Sequence, residues 1–105
     1  MESGLDRMYK KYLKLRLSLR SVTKAEMPPM KKILCLELLY DQSKEVPKPW
    51  GEELVQMNRI AVADALQQVM DNRGGDPTEK ERVTKEVNQY YGSSKGFEDQ
   101  QASSP

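Results

Sequence analysis

Pro28-Pro29, the pair Pro47 and Pro49, and Gly74-Gly75 followed by Pro77 punctuate the chain at near-regular intervals. Proline has no backbone N–H, clashes with the preceding helical turn and pushes the residue before it toward extended backbone. No helix or central strand runs through these points, so whatever folds must be built from four short segments. With 105 residues and a hydrophobic content of 37%, they can supply one domain with a modest core.

The first segment, 5–24, alternates two chemistries. It holds seven of the seventeen basic residues (Arg7, Lys10, Lys11, Lys14, Arg16, Arg20, Lys24) against one acid, Asp6. At 100° per residue, Leu5, Met8, Tyr9, Tyr12, Leu13, Leu15, Leu19 and Val22 fall on one broad face, and Arg7, Lys10, Lys11 and Lys14 lie opposite. Arg16 and Arg20, one turn apart, fall on the apolar side near Tyr9 and Leu13. Leu13, Leu15, Leu17 and Leu19 also alternate with polar residues at strand spacing. Leucine, lysine and arginine are good helix formers and β-branched residues are scarce here, which favours helix. The alternative is an α+β fold with an N-terminal hairpin over 12–41.

Pro29 suits the first turn of a second helix through Ser43. Apolar residues cover nearly its whole circumference, which predicts the most buried helix of a bundle. Glu37 and Asp41 lie one turn apart on it and read as a solvated or salt-bridged edge. Residues 44–49 form a linker. Trp50 opens a third helix through about Asn72, with Glu52 and Glu53 favourably placed against its dipole. Its inner face is Trp50, Leu54, Met57, Ala61, Val62, Ala65, Leu66 and Val69. Asn58 falls in the middle of that face and requires hydrogen-bond partners there. Gly74-Gly75 ends this helix. Asp76-Pro77-Thr78-Glu79 starts a fourth, with a capping aspartate, proline at the first helical position and glutamate at the third. Val83, Val87, Tyr90 and Tyr91 give it a narrow apolar stripe suited to peripheral packing. The expectation is an all-α bundle of three to four helices over residues 1–91, with 92–105 a disordered tail.

Composition excludes more chemistry than it suggests. There is no histidine, hence no imidazole base, no Ser-His or Cys-His nucleophile pair and no His-containing metal site. Cys35 is the single cysteine, so neither an intrachain disulfide nor a thiolate zinc site can form; its apolar neighbours predict a small buried hydrophobe. Gly74-Gly75 lacks the flanking residues of a phosphate loop. The longest apolar run, Ile33–Leu36, is far short of the ~20 residues a membrane span needs, and the front end lacks the pattern of a secretory signal. No catalytic residue, metal or cofactor is expected, and the chain reads as a soluble intracellular protein.

The net charge of +1 hides an asymmetry. Residues 1–32 carry nine basic and three acidic side chains, and residues 33–105 carry eight and thirteen. That split points to an anionic partner for the front end, an acidic protein or a nucleic acid, or to attraction between the two halves. Non-catalytic binding within a larger assembly follows.

The order Met8-Tyr9-Lys10, then Leu13 and Arg16, a second helix ending Leu39-Tyr40-Asp41-Gln42-Ser43-Lys44, and a long third helix resembles the mitochondrial LYR-motif family. Tyr9 matches that motif, Met8 and Lys10 replace its leucine and arginine, and Tyr40 stands where the family usually has phenylalanine. The resemblance spans roughly residues 5–73. It implies a small helical accessory subunit or assembly factor in the mitochondrial matrix, binding acidic acyl carrier protein. Lys10, Lys14 and Arg16 would then meet the acidic surface, and the alanine-lined stretch of the third helix would make room for an acyl chain. Without the resemblance, the expected location is cytoplasmic or nuclear. The partner-binding residues expected are Tyr9, Lys10, Lys14, Arg16, Arg20, Tyr40 and Lys44. Should the partner be RNA or DNA, the same basic helix would bind it, with Tyr9 and Tyr12 as stacking groups.

Overall fold

The computed structural model describes residues 3–91. They form four helices, α1 (Gly4–Lys24), α2 (Pro29–Ser43), α3 (Trp50–Asp71) and α4 (Pro77–Tyr91), with no strand among the described residues. The tail anticipated at 92–105 lies outside them.

Each helix begins where local chemistry supplies a start. Ser3 caps α1 by accepting from the Asp6 N–H at 3.0 Å. Pro29 occupies the first turn of α2. Asp76 Oδ1 accepts from the Thr78 N–H at 3.0 Å ahead of α4. The end of α3 departs from expectation: Asn72 is extended and neither glycine has positive φ. A turn from the Gly75 N–H to the Asn72 carbonyl, 3.0 Å, closes it instead.

The hairpin alternative fails because burial follows the helical period. Leu15 and Leu19 are buried, whereas Leu13 and Leu17, which would share their strand face, are 39% and 66% exposed.

Contacts fix an up-and-down topology. Gly51 lies against Ser43 and Val46, and Asn58 reaches Leu36, so α2 and α3 run antiparallel. Lys11 meets Glu45 and Lys32 meets Thr23, setting α1 antiparallel to α2. Tyr91 reaches Asn58 and Lys80 reaches the Met70 carbonyl, setting α4 antiparallel to α3. One core joins all four, with Leu19, Ile33, Leu36, Leu54, Val62, Val87 and Tyr91 almost inaccessible.

Several expected placements shift. The stripe of α4 is driven fully inward, with Val83, Val87 and Tyr91 at 2%, 0% and 0% exposure. Helix α2 is less buried than its composition implies: Leu34 and Leu38 face outward, Cys35 is only half-buried, and α3 carries more of the core. Glu37, expected at a solvated edge, is buried, and its Oε2 has no hydrogen-bond partner. Val46, in the linker, belongs to the core.

Candidate interaction surface on the first helix

Helix α1 packs against two neighbours and so needs only a narrow arc of its circumference. Leu15 and Leu19 fill that arc, and Met8, Tyr12 and Val22 flank it half-buried. The rest of the broad apolar face stays outside: Leu5, Tyr9, Leu13 and Leu17 are 65%, 44%, 39% and 66% exposed. These four recur every fourth residue, forming a ladder that winds slowly around the helix. Arg16 falls between its last two rungs and Arg20 and Lys24 lie beyond them on the same side, and all three are exposed. Lys10 and Lys14 border it, also exposed.

The fold consumes little of this charge. Lys11 bonds Glu45 at 2.8 Å, and Arg16 Nε lies 4.0 Å from Glu53. Arg7, Lys14, Arg20 and Lys24 have no ion pair among the described residues. Attraction between the two halves therefore accounts for only a minority of the basic excess.

Beyond Arg20 the surface deepens into a groove between the C-terminal half of α1 and the middle of α3. Met57, Ile60 and Ala61 contribute its apolar part; Arg20, Thr23 and Lys24 stand on the α1 side and Asp64 on the α3 side. Ile60 is 58% exposed. The cavity measures about 450 Å³, the order of size used by ligand and peptide sites.

At its other end α1 is pinned by aromatics. Trp50 packs against both Tyr9 and Tyr12, with ring centroids 5.1 and 6.0 Å away, and the two tyrosine rings are 5.8 Å from each other. The Tyr12 hydroxyl donates to Glu53, and this bond raises the phenol's pKa by favouring its protonated form.

The structure separates the residues nominated from sequence. Tyr9, Arg16 and Arg20 share the outward side of α1, with Lys10 and Lys14 at its border. Tyr40 is buried at 5% exposure, its centroid 4.5 Å from that of Tyr91, so its ring is a core element rather than a surface contact. Lys44 lies over the Tyr40 ring, 4.8 Å from the centroid, and 3.6 Å from Asp41. It lines a different groove with Lys48, Glu52, Glu53 and Arg59. That groove carries both signs of charge, and Lys48 is paired with Glu52 at 3.3 Å.

Leu17 and Ile60 were not among the nominated residues. The sequence carried a signal for each. Leu17 fits the strand alternation but not the apolar wheel of α1, and Ile60 falls outside the inner face of α3. Singly such residues are ordinary on a protein surface; they become informative only where they join other exposed apolar side chains in one patch.

The carbonyl of Leu36 and the Tyr91 hydroxyl satisfy Asn58 inside the core, at 2.6 Å each. Ala61 and Ala65 are buried. No helix among the described residues is long and apolar enough to cross a membrane, and no cluster of metal-ligating side chains occurs among them. No protein-family model, curated protein or solved structure matches the chain.

Proposed function

We propose that this is a non-catalytic interaction protein that docks an acidic protein partner on the outward side of α1 and in the adjoining α1–α3 groove. One observation carries the reading: four large apolar side chains, Leu5, Tyr9, Leu13 and Leu17, stand exposed in a ladder that Arg16 interrupts and that Arg20 and Lys24 continue on the same side of the helix. Buried apolar area supplies most of the affinity at a protein interface, and arginine and aromatic residues concentrate there. The surrounding positive charge selects acidic surfaces and speeds encounter.

The same face fits a nucleic acid less well. Phosphates reward cations, but they gain nothing from Leu13, Leu17 and Ile60. Glu53 and Asp64 stand close to the path that a phosphate backbone would follow, and Tyr12 is held in the Trp50 stack rather than offered to bases.

Acyl carrier protein, the partner that the LYR resemblance implies, is an acidic protein of this class and the first to test in pure form. Purified protein and its Arg16→Glu/Arg20→Glu variant are titrated with it by calorimetry, and both are affinity-purified from the native source. Binding or recovery of an acidic protein by the parent alone, with both forms equally helical, supports the reading. Recovery of nucleic acid, seen as 260 nm absorbance, or equal recovery by both forms, overturns it.

A further inference from the structure

Helix α2 carries a second outward row, and its order is self-complementary. Lys31, Leu34, Leu38 and Asp41 follow one another at spacings of three, four and three residues, the repeat of a helix–helix seam. Leu34 and Leu38 are 54% and 65% exposed, and Lys31 and Asp41 are exposed as well. The remaining sides of α2 are taken by α1, α3 and α4.

We propose that α2 is the contact helix of a homodimer, packed antiparallel against its counterpart about a two-fold axis at the level of Leu36. In that register Leu34 of one copy faces Leu38 of the other, and Lys31 faces Asp41, each pair occurring twice. The charge pattern identifies the occupant. A second copy presents an anion where the first presents a cation, and leucine where it presents leucine. The α1 row has no such property, because two copies of it would set arginine against arginine. Lys31 has no ion pair among the described residues. Asp41 directs Oδ2 to the Tyr90 hydroxyl and leaves Oδ1 to Lys44 at 3.6 Å, where a second cation can join. A recess of about 110 Å³ beside Leu34, lined by Met30, Ile33 and Val83 together with the charged Arg82 and Glu86, lies where Leu38 of the second copy would seat against the apolar part. The row is short, so the dimer is weak and concentration-dependent. It uses a different helix face from the partner surface on α1 and stands independently of it.

Sedimentation equilibrium on the full chain, from ~10 µM to ~1 mM, reads the association. The expected result is a monomer–dimer equilibrium, weakened about 10-fold or more by Leu38→Glu. Lys31→Glu alone and Asp41→Lys alone each associate less than the parent, because each sets like charges together twice. An equimolar mixture of the two restores association, because both contacts then pair opposite charges. Circular dichroism verifies that each variant is folded. Should Asp41→Lys fail to fold, Cys35 decides. Two copies place their single cysteines near the axis on helices about 8–10 Å apart, so a short bis-maleimide links the parent covalently and does not link Leu38→Glu/Cys35. A monomer at the highest concentration, association unchanged by Leu38→Glu, or a mixture of folded variants that does not re-associate overturns the proposal.

Discussion

The Tyr91 hydroxyl donates to Asn58 Oδ1 at 2.6 Å, joining the last residue of α4 to the middle of α3 where neither side chain reaches solvent. The Asn58 amide then donates to the Leu36 carbonyl on α2, also at 2.6 Å, so one side chain ties three helices together. Hydrogen bonds are directional, whereas the valines and leucines around them are not. This pair therefore sets the register of α4 in a way its narrow valine stripe cannot. Tyr91→Phe keeps the ring and removes the donor, leaving a buried amide oxygen short of its partner. A loss of about 1–3 kcal/mol follows, measured by urea denaturation. In a double-mutant cycle with Asn58→Leu, the two losses should sum to more than the loss in the double variant.

Gly51 is required by proximity. A Cβ there would lie 2.1 Å from the Val46 carbonyl oxygen and 3.0 Å from its carbon, both backbone atoms that cannot rotate aside. The absence of a side chain lets the start of α3 close against the turn that follows α2, and that closure buries Val46. Gly51→Ala ordinarily gains helix propensity. Here it should destabilise by about 2 kcal/mol or more, as overpacking against fixed backbone does. A rise in thermal midpoint would contradict the close approach.

Glu37 gives the fold a pH dependence of its own. Burial, with the nearby carboxylates of Glu86 and Asp41, raises its pKa from 4.5 to about 7. Between these values the folded chain holds a proton that the unfolded chain has released, so this group's stabilisation is complete below about pH 4.5 and is lost as pH rises through about 7. Glu37→Gln removes the ionisable group and keeps the shape. Compared with the parent, it should be more stable at pH 8 by about 1–2 kcal/mol and nearly equal at pH 5. Urea denaturation at the two values measures this. A constant difference across pH would place the titration elsewhere.

The four helices and most of their boundaries were legible because proline, glycine and capping residues act locally. Pro29, Trp50 and the Asp76-Pro77 start declare their roles without knowledge of neighbours. The inner face of α3 was legible for the same reason, since Leu54, Ala61, Val62 and Ala65 keep one period. The arc that α1 would bury was not legible. Its apolar residues span more than half the wheel, and only packing decided that Leu15 and Leu19 go in while Tyr9, Leu13 and Leu17 stay out. Glu37 was misplaced because its partner helix, α4, begins forty residues later. Tyr40 was nominated for the surface from a motif position, yet its ring is fixed by Tyr90 and Tyr91, a contact that spacing within α2 cannot reveal.

The α1 surface divides into two halves with different supports, which lets one substitution test which half the proposed partner contacts. Leu15 and Leu19 hold the C-terminal half in the core. The N-terminal half has no fully buried residue and rests on the stack of Tyr9 and Tyr12 with Trp50, the Tyr12–Glu53 bond and the Lys11–Glu45 pair. Removing the indole should therefore act on that half first. Trp50→Ala is expected to cost about 3 kcal/mol or more, concentrated in residues 4–12. Hydrogen exchange would show those amides opening at low free energy while 15–24 keep their protection. The consequence for binding follows from where the groove lies. Arg20, Lys24 and Ile60 remain in place in the variant, so a partner seated in the α1–α3 groove retains most of its affinity. A partner that depends on Tyr9 and Lys10 loses it. Exchange and affinity measured on the same variant thus locate the contact along α1, and uniform deprotection of the whole helix would show that its two halves are not separately anchored.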